Sequence, residues 1–250
     1  MPSPVEVATV VVASTVAGAV NVVAGGGSFL TLSLLLLIGM PAPVANATNR
    51  VGVLTQSLAG LWGFHRHGVV DWRWALGVSA PAMLGAGLGA WLALAIPPQA
   101  FSRMLATIML VMTGWSLWRQ RSPTGSASPA PGTAWGPLAT NLGFFLIGVY
   151  GGFIQAGIGF LLLAFTSAAG FDLVKGNAIK LLHVLLMTLV ALAIFGSAGT
   201  IDWGMGLALG AGNFIGGSLG VRLAMALGHV WIQRIVTASM VVFAGVLWLS

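Results

Sequence analysis

Charge is what this sequence has least of. Of 250 residues, ten are Lys or Arg and four are Asp or Glu, 6% in all, whereas 58% are apolar. A soluble globular domain carries about a quarter charged residues. A chain this poor in charge cannot wet a surface, so the solvent it faces is lipid. Cysteine is absent, which removes disulfides, thiolate chemistry and any reading of redox compartment. No Ser/His/Asp arrangement or metal-ligand spacing stands out, so neither an enzyme nor a bound cofactor is expected. His65 and His67 make a loop pair with no third ligand in view. The net charge of +6 and pI near 11.5 do not indicate nucleic acid. The basic residues fall singly at segment ends, with no stripe and no aromatic-interleaved patch.

What the chain does have is a series of long apolar runs. About 20 such residues span a bilayer, and several runs reach that length, so the fold class is an all-α polytopic membrane protein. A shift of 131 residues lays the chain on itself. Asn46 meets Asn177, Asn49 meets Lys180, Asp71-Trp72 meets Asp202-Trp203, and Arg103 meets Arg234. Gly85 and Gly89 meet Gly216 and Gly220. Matched amides, acids and arginines at one offset mark an internal repeat. The first repeat covers 1–118 and the second 134–250. Residues 119–133, rich in Pro, Ser and Gly, form a solvated linker. Each repeat reads as five apolar segments, near 4–23, 27–40, 46–64, 74–95 and 99–118, then 135–153, 157–170, 177–197, 203–226 and 230–249. The first segment lacks the basic start of a signal peptide and is expected to be retained.

Five segments per repeat put the two copies upside down relative to each other. Loops facing the cytoplasm are rich in Lys and Arg. With the Arg66–Arg73 loop inside, Arg119, Arg121, Lys175, Lys180, Arg222 and Arg234 also fall near the inner face. Only Arg50 and Arg103 lie toward the outside. Both termini are therefore expected outside, with the linker in the cytoplasm. Inverted repeats of this kind build transporters with one central site.

Two glycine clusters occupy matching places: Gly25, Gly26 and Gly27 before Ser28, and Gly151, Gly152, Gly157 and Gly159 on either side of Gln155. Glycine weakens a helix by about 0.8–1 kcal/mol against alanine, so both runs should break or turn the helix. A break at membrane depth frees N–H groups beside a positive helix start, which suits an anion. Gly85, Gly89, Gly216 and Gly220 read instead as close helix packing. The third segment of each repeat opens polar. Asn46, Thr48, Asn49, Arg50 and Gln56 stand in the first; Asn177, Lys180 and His183 stand in the second. A central cation costs about 2.5–3.5 kcal/mol, and no carboxylate falls mid-segment to offset it. Arg50 snorkelling to the interface and His183 as a packing residue are the plain alternatives. The combination points to a small anion. Transport of another solute, and a non-transporting scaffold or lipid-binding protein, are the rival readings. Membrane lipid is the surrounding partner, and a homo-oligomer remains open. An anion leaving a negative-inside cell moves downhill, about 2.3 kcal/mol per charge at 100 mV, so export needs no coupling ion.

The stretches "AGGGSFLTLSLLLLIGMPAPVANATNRVGVL" and "GGFIQAGIGFLLLAF…KGNAIKLLHVLL" resemble the two signature regions of the TauE/SafE family of sulfite exporters, also called the four-toluene-sulfonate uptake permease family. The resemblance covers essentially the whole chain. It implies a multi-pass inner-membrane protein that moves sulfite or an organosulfonate such as sulfoacetate. The motif residues are Gly25, Gly26, Gly27, Ser28, Asn46, Thr48, Asn49 and Arg50, then Gly157, Gly159, Asn177 and Lys180. Ser33 departs from the pattern, since many relatives carry proline there.

Overall fold

The structure, a computed structural model, describes the backbone of residues 4–23, 25–119 and 135–249, and side chains from Glu6 to Met225 and Ala226 less a stretch around the linker. The expected linker lies outside the described residues except for Arg119, as do Arg121 and the side chain of Arg234. The described chain is helical throughout. In order, α1 is Pro4–Val23, α2 Gly27–Leu37, α3 Ala42–Arg66, α4 Trp72–Gly77 and α5 Ser79–Ala95. Then follow α6 Pro98–Arg119, α7 Pro137–Phe153, α8 Ile158–Ala168, α9 Leu173–Ser197 and α10 Trp203–Leu249. Among the described residues, α1 and α9 are long and apolar enough to cross a membrane, while α2, α5, α7 and α8 are shorter apolar helices.

Two segments are divided differently from the sequence expectation, and the presence or lack of proline explains both. The fourth segment, read as 74–95, splits at Val78 into α4 and α5. Pro81 has no N–H to offer the carbonyl of Gly77, one turn back, so the ladder stops there. The last two segments, read as 203–226 and 230–249, are one helix, α10. In the first half Pro97 and Pro98 separate α5 from α6, but 131 residues later the chain has Gly228 and His229. A single glycine is tolerated inside a helix where a proline pair is not. The third segments also start earlier than read. Pro41 and Asp172 sit at the N-caps of α3 and α9, so Asn46 and Asn177 lie about a turn inside.

The breaks fall at the glycine clusters. α1 ends at Val23 and α2 begins at Gly27; α7 ends at Phe153 and α8 begins at Ile158. A Cβ on Gly27 would meet Ala17 and Asn21, so α2 doubles back along the end of α1. α2 and α8 have 11 residues each, about 16 Å of helix, roughly half a bilayer core.

α3 and α9 pack antiparallel in the middle, with Gly60 against Leu181 and Arg50 over Phe195. The first helix of each half lies along the fourth segment of the other. Gly216 and Gly220 of α10 take the Thr15 and Ala19 carbonyls of α1, while Gly85 and Gly89 of α5 take the Phe145 and Val149 carbonyls of α7. Backbones approach this closely only where no side chain intervenes, as expected for these four glycines.

Candidate functional site

Asn46 and Arg50 are four residues apart and share one face of α3. That face meets the end of α7. Asn46 Nδ2 donates to the Phe153 carbonyl at 3.0 Å, and Arg50 donates from its two terminal nitrogens to Gly151 and Gly152 at 2.9 and 2.6 Å. On the other side, Asn177 Nδ2 donates to Val23 at 3.2 Å. Lys180 Nζ donates to Asn21 and Val22 carbonyls at 2.8 and 2.9 Å and to Asn177 Oδ1 at 2.7 Å. Each half therefore closes the broken first helix of the other with an amide and a cation.

The cause is local. A helix that stops at a glycine run leaves most of its last carbonyls without N–H partners, the Asn21 carbonyl keeping that of Gly25, and the partial negative charge there favours a cation. Arg50 and Lys180 are 0% and 1% exposed, so Arg50 does not snorkel. Lys180 has all three donors engaged. Arg50 keeps an unpartnered Nε and lies with its guanidinium carbon 4.9 Å from the Phe195 ring centre. Phe195 is fifteen residues beyond Lys180 on α9, about 22 Å of helix rise. The two cations thus sit toward opposite ends of the central pair.

The remaining residues of the polar cluster diverge around α3, as 100° per residue requires. Thr48 faces α10 and accepts from the Asp202 N–H at 3.0 Å. Asn49 faces α2 and accepts from the Thr31 hydroxyl at 2.6 Å. Gln56 meets the end of α1. There Asn21 Nδ2 donates to Gln56 Oε1 at 3.0 Å and to Ser28 Oγ at 3.2 Å, and Gln56 Nε2 is left without a partner.

The two glycine breaks cross. Gly25 has φ +91°, and a Cβ there would sit 2.6 Å from the carbonyl carbon of Gly159. Just beyond the contact, Phe29 and Phe160 stack with ring centres 6.4 Å apart, and Gly26 lies against the Phe160 ring. The starts of α2 and α8 consequently meet in the buried middle. On the α8 side, Gln155 is the one non-glycine among the described residues with positive φ, at 60°, and Gly157 follows at 75°. Gln155 Nε2 donates to Thr188 Oγ1 at 2.5 Å and its Oε1 has no partner. His183 stacks on Phe144 at 4.4 Å, and its Nδ1 bonds the Ile179 carbonyl of its own helix. Its Nε2 is unpartnered.

Among the described residues, the acids sit at helix starts. Asp71, Asp172 and Asp202 each accept a backbone N–H at a helix start, and Glu6 lies in the first turn of α1. No group of three metal-ligating side chains occurs among the described residues.

Sequence reasoning did not single out Asn21, Thr31 or Thr188. Asn21 carried a usable signal, as the lone amide of an apolar run immediately before the glycines. Thr31 and Thr188 carried none, because a threonine in a membrane helix ordinarily bonds its own backbone.

The family model for the sulfite exporter TauE/SafE matches residues 10–247. Among curated proteins, the chain is 30% identical over 220 residues to "Probable membrane transporter protein ORF9" of Sinorhizobium, covering 87% of this chain and 82% of that one. It is 28% identical to a "Probable membrane transporter protein" of Haemophilus influenzae, over 88% of this chain and 86% of the other. It is also 28% identical to "Probable membrane transporter protein YfcA" of Escherichia coli, over 99% and 92%. No solved structure matches.

Proposed function

This chain belongs to the sulfite exporter TauE/SafE family and is a membrane transporter; from that premise we propose that it exports a small sulfur oxyanion or organosulfonate across the bacterial inner membrane. The two halves act as inverted repeats, with both termini outside and the linker inside. The reciprocal closure of α1 by α9 and of α7 by α3 supports this symmetry.

The observation that carries the substrate class is electrostatic. Lys180 and Arg50 offset the negative ends of α1 and α7. The positive starts of α2 and α8 are then left facing each other at Gly25 and Gly159. At about half an elementary charge per helix end, the paired starts put an excess of about one positive charge in the middle of the protein, with the two cations to either side. Such an excess inside a low-dielectric protein favours an anion strongly. The ligand sits at the paired helix starts, where Ser28 and Gln56 add side-chain donors. Lys180 acts on it through charge at a distance, since its three hydrogens are engaged, and so does Arg50, whose terminal nitrogens are held by Gly151 and Gly152.

Purified protein in vesicles loaded with sulfite tests this reading. Efflux should saturate with internal sulfite and quicken when the inside is made negative. Sulfite should also raise the midpoint of thermal unfolding. A protein inert in both assays toward sulfite, thiosulfate and sulfoacetate would not be an exporter of this class.

A further inference from the structure

Three polar side chains at the start of α2 have no image at the same register in the other half, and the nearest counterpart, Gln155 with Thr188, leaves a bare oxygen where Gln56 leaves a bare N–H. Shifting Asn21, Ser28 and Gln56 by 131 residues lands on Gly152, Gly159 and Met187. The scaffold pairs Asn46/Asn177 and the two cations recur across the halves; this trio does not. Repeat architecture therefore gives no reason for it, and a packing role is already filled in the second half by small and apolar residues.

Its geometry is that of an oriented donor. Asn21 Nδ2 bridges Gln56 Oε1 and Ser28 Oγ, at 3.0 and 3.2 Å. Holding Oε1 turns the Gln56 amide so that Nε2 is free, and that nitrogen is buried in a residue 1% exposed. A buried amide N–H without an acceptor costs about 1–3 kcal/mol, which an arriving oxyanion would recover. Ser28 accepts from the same amide, so its own hydroxyl hydrogen turns away from Asn21. Ser28 is the second residue of α2, where backbone N–H groups are also unclaimed by the helix.

We propose that the oxyanion is read by the first half alone, through Gln56 Nε2, Ser28 and the start of α2, with Asn21 as the positioning residue that aims the Gln56 amide. α8, whose corresponding first turn carries Gly159 and Leu162, closes over the ligand without reading its oxygens. This rests on the anion-export reading and adds residue roles to it. Lys180 binds the backbone carbonyl of Asn21, not its side chain, so replacing the side chain leaves that closure in place.

The test is a double-substitution cycle in sulfite-loaded vesicles, with Asn21→Leu and Gln56→Met, neither of which adds charge. Each should raise the half-saturating sulfite concentration at least tenfold, and Ser28→Ala should raise it several-fold. Because Asn21 acts through Gln56, adding Asn21→Leu to Gln56→Met should change half-saturation by less than twofold. Full additivity would overturn the positioning role. Wild-type half-saturation in Gln56→Met and Ser28→Ala would overturn the one-sided recognition. If Asn21→Leu does not fold, those two variants still decide the recognition. Wild-type protein that moves no sulfur oxyanion would sink the export reading itself, a result distinct from either.

Discussion

The two halves of the chain solve one mechanical problem in the same way and one chemical problem differently. Both end their first helix at a glycine break and have it capped from the opposite half, by Asn46 with Arg50 or by Asn177 with Lys180. Yet the cations are not at matched positions. Lys180 aligns with Asn49, and Arg50 aligns with Leu181. A guanidinium reaches two carbonyls with a flat fork, while a compact ammonium takes three acceptors at once. The cap is therefore kept as a physical function even where the residue and its register are not. Where the halves differ in chemistry, at Asn21, Ser28 and Gln56, the proposed recognition assigns the difference to the ligand.

The sharpest way to break this comparison is to remove the caps. Lys180→Met strips the Val22 carbonyl and Asn177 Oδ1 of their donor and leaves the Asn21 carbonyl with the Gly25 N–H alone. At about 1–3 kcal/mol for each buried group left unpaired, the loss of about 2–6 kcal/mol is a large share of a domain's stability. Little folded protein should survive extraction in detergent. Arg50→Met frees two carbonyls and should leave a detectable folded fraction with a strongly lowered Tm. A milder effect for Lys180→Met than for Arg50→Met would reverse the ranking and separate the two caps in kind.

Next in size is the crossing of the breaks. Gly25→Ala places a methyl 2.6 Å from backbone of Gly159 in a residue with φ +91°. Neither backbone can yield without parting α2 from α8. Gly39 has φ +86° but nothing within 4 Å of its notional Cβ. Gly39→Ala should therefore cost about 1–2 kcal/mol, the left-handed strain alone. Gly25→Ala should cost clearly more and should abolish transport in whatever protein folds. Equal unfolding temperatures for the two would mean that the helix starts do not touch.

Much of this was legible in the residues, for reasons that can be named. Glycine runs and proline pairs act locally, so the breaks at Gly25 and Gly157 and between α5 and α6 follow from the chain alone. The polar cluster announced itself because charge in an apolar segment is costly. Its division of labour was not legible. Which side chain of α3 meets α7, α2 or α10 depends on how neighbouring helices are placed, and Thr48 and Asn46 look alike in a string. The carbonyl ends that Arg50 and Lys180 cap belong to residues about 100 and 158 positions away. A sequence shows a cation in need of a partner; only the packing shows that the partner is a helix end. The undivided α10 escaped notice because Gly228 resembles the breakers elsewhere but stands alone.

The smallest effects should come from the helix starts that carry acids, and they compare the halves once more. Asp71 and Asp202 are matched by the 131-residue shift, and each side chain accepts an N–H three residues on, from Trp74 at 3.1 Å and from Met205 at 3.0 Å. Replacing an N-cap aspartate by alanine costs about 0.5–2 kcal/mol. Asp71 and Asp202 are both exposed, so water replaces the lost acceptor and both substitutions belong at the low end. Asp202 is tied in further, because its own N–H donates to buried Thr48. Thr48→Val would leave that N–H unpartnered beside the cap. Asp202→Ala and Asp71→Ala should thus lower the Tm by similar small amounts, while Thr48→Val should lower it with Asp71 and its helix untouched. Thermal unfolding of the three variants side by side measures this. A Thr48→Val protein with wild-type Tm but altered sulfite half-saturation would instead move Thr48 from the α10 cap into the ligand site.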